Sequence, residues 1–455
     1  MIDWLKRIAA LAAVAIVTAC GGGDDRNPNI VELAKASPNL TVLVEAVTAA
    51  DLAATLSGPG PYTVFAPTDA AFTALLAELG VTKAQLLADK ALLTKVLTYH
   101  VVSGSVRKAQ VPLNTLIATI QGGSIRVSAG DSDLFIIDER GRSSKIASTD
   151  AIATNGVVHV IDKVLLPKGN IVEMAKANPN LSILVEAVVA ADLAGTLSGT
   201  GPFTVFAPTD AAFAALLTEL GVTKEALLAD KPLLTAVLKY HVLSPQVVKK
   251  ADIPLGKAIQ PLLPNAFFKI DAVGSAAIIT DGRNRSSTIV ATDVLATNGV
   301  IHVIDKVILP ADKNIVQTAV GAAPEFSILV EAVTAADLAG ILSQPGPFTV
   351  FAPTNAAFEA LLTELGITKA ALLADKPLLT RVLTYHVIAG KVLKADISIG
   401  AAVPTLQGDT FTIDGSLDIN DQRGRKARIV TTDVLTGNGV IHVIDKVILP
   451  SEPAV

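Results

Sequence analysis

The spacing of apolar residues along this chain alternates between a helical and a strand-like period, and the alternation runs through three times. In the first pass, Asn29 stands where a side chain can cap a helix running through Ala36, which Pro38 ends. Leu40, Leu43, Val44 and Val47 then share one helical face. Asp51 is expected to cap a further short helix, closed by Gly58-Pro59-Gly60-Pro61. Tyr62 to Phe65 predicts a buried strand, and Thr68 a cap for a helix to Leu79 with Gly80 as its stop signal. Thr82 and Asp89 each predict a cap of a short helix leading into Tyr99-His100-Val101-Val102. Beyond Gly104 the period falls to two, as in Ile125-Arg126-Val127 and Leu134 to Ile137, and Asn155-Gly156 between apolar runs predicts a hairpin. The pattern is that of an α+β domain in which helices pack on a β-sandwich or wedge of sheets.

The same order of signals then returns. Asn29-Ile30-Val31-Glu32 recurs at Asn170 and, with Gln317 in place of the glutamate, at Asn314, in successive steps of 141 and 144 residues. Thr63-Val64-Phe65-Ala66-Pro67-Thr68-Asp69-Ala70-Ala71-Phe72 recurs from Thr204 and from Thr349, with Asn355 in place of the aspartate. Asn155-Gly156-Val157-Val158-His159-Val160-Ile161-Asp162 recurs from Asn298 and from Asn438. A period of this size means whole domains rather than solenoid units. They are expected at 29–167, 170–310 and 314–450, joined by Lys168-Gly169 and Ala311-Asp312-Lys313, each folding on its own.

Ahead of the repeats the chain has a different character. Lys6 and Arg7 precede an apolar run from Ile8 to Val17, too short to span a bilayer but suited to a signal peptide over residues 1–19. Val17-Thr18-Ala19-Cys20 follows, which resembles a bacterial lipobox, with Cys20 as the first mature residue and the site of lipidation. Residues 20–28 are then a flexible, Gly-rich tether from the membrane to the first domain. This makes the protein exported and lipid-anchored, on the periplasmic or cell-surface side of an outer membrane. Cys20 is the only cysteine of 455 residues, so there is no intramolecular disulfide and no cysteine-based metal site. A formal net charge of −5 gives no general attraction for nucleic acid. The one tryptophan, Trp4, lies in the signal segment, which weighs against a sugar cleft built on Trp stacking.

Catalytic signatures are absent: there is no Gly-x-Ser-x-Gly elbow, no His-Glu-x-x-His, no phosphate-binding loop and no dinucleotide fingerprint. No cofactor is expected. The six histidines occupy two repeated positions, His100, His241 and His386, then His159, His302 and His442. No carboxylate or cysteine stands beside them at ligand spacing, so a neutral core histidine bonded to backbone fits better than a metal ligand. One charged feature also recurs, the turns bearing Arg142, Arg285 and Arg425, which are expected to be exposed and are candidate contacts for acidic sugars or protein carboxylates.

Three motifs in fixed order now identify a resemblance. The Thr-Val-Phe-Ala-Pro-Thr-Asp/Asn-x-Ala-Phe run, the Asn-Gly-Val-x-His-Val-Ile-Asp run, and the Tyr-His pairs Tyr99-His100, Tyr240-His241 and Tyr385-His386 resemble the signatures of the fasciclin domain. The resemblance covers essentially all of the mature chain. It implies a seven-stranded β-wedge with helices, and a role in cell adhesion or matrix contact without catalysis. It also makes the Tyr-His pairs candidate adhesion residues, since that segment and an Asp-Ile dipeptide are associated with integrin binding in animal relatives. The dipeptide position here holds Asp150-Ala151, Asp293-Val294 and Asp433-Val434. The expected partner is a surface protein or polysaccharide of a matrix, a biofilm or another cell. The alternative is a module that binds a carbohydrate or small ligand. Val96, Leu97, Val101 and Val102 around Tyr99-His100 mark a segment expected to pack against the core, which predicts that the histidines are mainly structural.

Overall fold

A computed structural model of the protein describes residues 27–79, 81–130 and 133–452. Cys20, the signal segment and Gly80 lie outside the described residues. The described chain forms two compact units, one ending at Gly169 and one beginning at Asn170. The first unit holds one copy of the repeated domain and the second holds two. Each copy contains one seven-stranded sheet.

The first domain shows how the sequence builds the fold. Its front half is helical: α1 (Ile30–Ala36), α2 (Thr41–Ala49), α3 (Ala53–Ser57), α4 (Asp69–Leu79), α5 (Lys83–Ala88) and α6 (Lys90–Tyr99). Asn29 caps α1 in a reciprocal capping box with Glu32, and Thr82 does the same for α5 with Gln85. Asp89 caps α6. Asp51 plays a different part from the one its sequence position predicts. It stands at φ 57°, its N–H bonded to the Thr48 carbonyl while Leu52 N–H bonds Val47, so it closes α2 in a Schellman turn. The helix it precedes, α3, starts from Leu52 with no side-chain cap. Having no polar cap of its own at Leu40, α2 takes one from a distance. Asp69, at the start of α4, accepts from Val42 N–H at 2.8 Å and from the Thr41 hydroxyl at 2.6 Å.

The back half is β: β1 (Tyr62–Pro67), β2 (Val101–Ser103), β3 (Leu116–Ala118), β4 (Ser124–Ala129), β5 (Leu134–Ile137), β6 (Ser143–Ala153) and β7 (Gly156–Ile161). Their order is β2-β1-β7-β6-β5-β4-β3. Strands β1 and β7 run parallel, and the other pairs are antiparallel. The long strand β6 changes register against β7 twice, between Ile146 and Ser148 and between Ser148 and Ala151. Such bulges bend a strand, which folds the sheet over on itself into a wedge.

Strand β1, flanked by β2 and β7, is covered on both faces, and its side chains alternate between two cores. Val64 and Ala66 face the helices, with Leu43, Phe72 and Leu97. Phe65 faces the inside of the wedge, with Tyr99, Ile125, Ile136 and Ile161. The Phe-Ala-Pro-Thr signature is therefore one strand that feeds both cores and then starts a capped helix, Thr68 accepting from Ala71 N–H at 3.2 Å.

The hairpin asparagine has a wider role than turn formation. Asn155 Oδ1 accepts from Ile30 N–H at 3.0 Å, and its amide donates to the carbonyls of Leu56 and Gly58 at 2.8 and 2.9 Å. One side chain thus joins the β6–β7 turn to the start of α1 and the end of α3. Asn298 and Asn438 repeat the arrangement. Asn155→Ala strands one donor and two acceptors and is expected to lower stability of the first domain by about 2–3 kcal/mol, read from urea unfolding. An unchanged midpoint would mean that water replaces these bonds without loss.

Candidate functional site

The Tyr-His segment lies at the junction of helix and wedge. Helix α6 is amphipathic, so its buried face carries Leu93, Val96, Leu97 and Tyr99 inward, and its last turn delivers His100 as the C-cap. The Tyr99 ring is fully buried. Its hydroxyl donates to the Ser124 carbonyl at 2.7 Å and accepts from Glu139 N–H at 2.9 Å, which ties α6 to β4 and to the turn after β5. Tyr240 bonds Phe267 O and Gly282 N–H in the same way, and Tyr385 bonds Thr410 O. Burial holds the Tyr99 and Tyr385 hydroxyls above their usual pKa, and Tyr240 well above it.

The histidine beside each tyrosine uses both ring nitrogens on backbone. His100 Nδ1–H donates to Val96 O at 2.8 Å, and Nε2 accepts from Leu165 N–H at 2.9 Å. His241 bonds Val237 O and Ile308 N–H, and His386 bonds Val382 O and Ile448 N–H. A ring that accepts through Nε2 is neutral. Desolvation by burial accordingly drives all three pKa values from 6.5 down to about 4.

The second histidine of each domain is buried on β7 or its counterpart. His159 has the opposite tautomer: Nε2–H donates to Val106 O at 2.9 Å and Nδ1 faces Asp150 N–H at 3.4 Å. Asp150 is the residue at the family's Asp-Ile position. It sits at φ 60° in the β6 bulge, its carboxylate accepting from Lys108 N–H at 2.8 Å. Asp293 and Asp433 do the same for Lys250 and Lys394. The two histidines of a domain thus serve separate backbone networks rather than one metal-binding cluster.

The arginine turns do not project as the sequence predicts. Arg142, Arg285 and Arg425 have side chains only 18%, 22% and 19% exposed. Arg142 Nε donates to the buried Asp138 carboxylate at 3.0 Å, Nη1 pairs with Glu78 at 3.0 Å, and Nη2 donates to Val164 O. Asp138 also accepts from the N–H groups of Arg140, Arg142 and Leu166. Arg285 repeats this set with Asp281, Glu219 and Val307. Arg425 pairs with Glu364. A buried carboxylate needs a charged partner, and that need turns the guanidinium inward.

A different feature recurs on the outside. Leu113, Leu255 and Ile399 hold equivalent places before β3 and its counterparts and are 44%, 49% and 55% exposed. The next residue in each case has positive φ, and its N–H bonds back to the sheet, Asn114 to Val127, Gly256 to Ile270 and Gly400 to Ile413. Ile120 and Leu406, also exposed, bond through N–H to Val101 and Val387, directly after the Tyr-His pairs. Each wedge therefore presents an exposed apolar side chain beside a backbone bond to β4 or its counterpart, and the first and third add a second one bonded to the residue after the Tyr-His pair. In the sequence these places are Val111-Pro112-Leu113, Ile253-Pro254-Leu255 and Ile397-Ser398-Ile399, where no hydrophobic period marks them.

Helices that cap a seven-stranded wedge, threaded by these motifs, define a fasciclin-domain protein. The fasciclin domain family model matches residues 38–167, 179–310 and 324–450, and the chain belongs to that family. Among individual proteins it is similar to human periostin, 26% identical over 432 residues that cover 94% of this chain and 48% of periostin. Pig transforming growth factor-beta-induced protein ig-h3 is 28% identical over 426 residues, 93% of this chain and 58% of that protein. The chain thus spans about half the length of these relatives. Among solved structures, a FAS1 domain pair from the insect cell adhesion molecule Fasciclin I aligns with 59% of this chain and 92% of its own, at TM-score 0.32 and 18% identity.

The buried histidines make a prediction about pH. In the unfolded chain these rings take up protons below pH 6.5, while the folded rings resist down to about 4. Their contribution to stability is whole above pH 6.5 and is lost as pH falls toward 4. Between pH 7 and pH 5 each of these histidines is expected to cost the unit that contains it about 2 kcal/mol, measured by urea unfolding. A midpoint that stays level over that range contradicts the assignment.

Proposed function

We propose that this is an exported, lipid-anchored and non-enzymatic adhesion protein that holds a matrix, biofilm or cell-surface component through repeated weak contacts. The observation that carries this reading is an exposed apolar residue at the same place in each domain, Leu113, Leu255 and Ile399. Three copies on one tether raise avidity when the target repeats at a matching spacing. The family relationship supports the reading. So does the use of the histidines, each engaged with backbone through a ring nitrogen. The reading as a small-ligand module has less behind it. The cavity beneath α1, lined by Ile30, Leu43, Val47 and His100, is about 30 Å³, and so is its counterpart in the second domain. Apolar spaces of that volume are too small for a sugar, and a wider one in the third domain, between Phe358, Leu372 and Leu449, is about 120 Å³ and also mainly apolar. Among the described residues no helix is long and apolar enough to cross a membrane, and Cys20 is the proposed means of attachment.

Substituting Leu113→Ser, Leu255→Ser and Ile399→Ser one, two and three at a time tests the reading. Attachment to matrix or cells is expected to fall more than tenfold in the triple variant and much less in the single ones, following avidity. Stability should hold within about 0.5 kcal/mol, because the side chains are surface-exposed. Full attachment by a folded triple variant would overturn the assigned surface. Cys20→Ser should release the protein from membranes.

A further inference from the structure

The second and third domains meet through side chains that the other repeats lack. Lys269, on the second domain's counterpart of β4, reaches Asp433 of the third domain at 2.7 Å, with side chains 12% and 3% exposed. Asn284 makes two bonds to one backbone residue, donating to Leu435 O at 3.0 Å and accepting from Leu435 N–H at 2.7 Å. Phe267 packs with Leu393 and Leu435 in a shared apolar cluster, and the Lys391 ammonium lies 3.7 Å from the Phe267 ring centroid. These are four different kinds of contact in one place: a buried ion pair, a bidentate amide, an apolar cluster and a cation–π pair.

The tyrosine hydroxyl bonds place equivalent positions in register. Phe267 corresponds to Ser124 and Thr410, so Lys269 corresponds to Arg126 and Thr412. Asn284 corresponds to Gly141 and Gly424, which share its positive φ. On the opposing face, Lys391 and Leu393 stand where the first domain has Ser105 and Arg107 and the second has Val247 and Lys249. Leu435 is buried, while its counterparts Ile152 and Leu295 are exposed. Both faces therefore carry residues specific to this junction.

We infer that the second and third domains form one rigid pair that unfolds as a single unit, locked where Phe267, Lys269 and Asn284 of the second domain clamp the Asp433–Leu435 edge of the third. The sequence alone predicts three autonomous beads; the junction makes the second and third interdependent. Separating them would expose Leu435 and leave the Asp433 carboxylate and the Lys269 ammonium without each other, which is costly for groups so buried. The pair also withdraws the Asp433 edge from any outside partner, so the three copies of the domain are not equivalent as binding modules.

The full chain tests this with replacements that the fold already accepts. Phe267→Thr, Lys269→Thr and Asn284→Gly install the residues the third domain carries at these positions, and Asn284→Gly alone is the mild form. In the wild-type chain, calorimetry is expected to show the second and third domains melting in one transition. The Leu435 amide should exchange hydrogen only as the pair opens. The triple variant should split that transition in two, and both variants should speed Leu435 exchange at least tenfold while amides of the β7 counterparts keep their protection. Independent melting of the two domains in the wild-type chain would overturn the inference. So would a single wild-type transition with Leu435 exchange unmoved by either variant, since the clamp would then not be the lock.

Discussion

The fold depends on satisfying polar groups where helix and wedge close over one another. A chain segment that leaves a helix and enters a sheet carries carbonyls and N–H groups that lose water without gaining a regular partner. The Tyr-His pair answers that need. Tyr99 reaches forward to β4 and to the turn after β5, and His100 bridges α6 to the segment around Leu165. Between them they pin four elements with backbone bonds that water cannot supply at that depth. Removing either ring leaves buried groups unpaired, a heavier loss than the bonds' net gain.

That constraint explains why the motif repeats unchanged while the surface around it varies. A tyrosine and a histidine held in place by backbone groups are independent of which side chains surround them, so the pair works in each domain. Asn155, Asn298 and Asn438 have the same character, bonding to main chain at the start of one helix and the end of another. The outward positions are free to diverge. The carbonyls of Ser124, Phe267 and Thr410 each accept from the tyrosine hydroxyl, yet only the phenylalanine adds an apolar contact to a neighbouring domain. The repeats thus share a scaffold of main-chain bonds and differ in what their edges meet.

How much of this was legible depends on the range of each interaction. Caps at Asn29, Thr82 and Asp89 and the strand from Tyr62 follow from nearest neighbours in sequence, and the structure has them. Asp51 was legible only in part: an aspartate between two helices can close the first or open the second, and positive φ selects the first. The arginine turns read as exposed because turns are polar and surface-bound. Nothing local shows that Asp138 is buried beneath Arg142 and calls for its guanidinium. The exposed edge at Leu113 was hidden for the opposite reason, since one leucine after a proline carries no period. The junction of the second and third domains joins residues more than a hundred positions apart, and only the comparison of equivalent positions among repeats marks them as special.

The most direct measurement of the central claim, that the Tyr-His pair carries structure rather than a contact surface, is nitrogen NMR of the folded protein labelled at histidine. His100, His241 and His386 are expected to show the neutral Nδ1–H tautomer at pH 7 and to keep it as the solution is acidified past pH 6.5 toward about 4. Rings that protonate near pH 6.5 in the folded protein, with the signal of solvent-exposed imidazole, would contradict it.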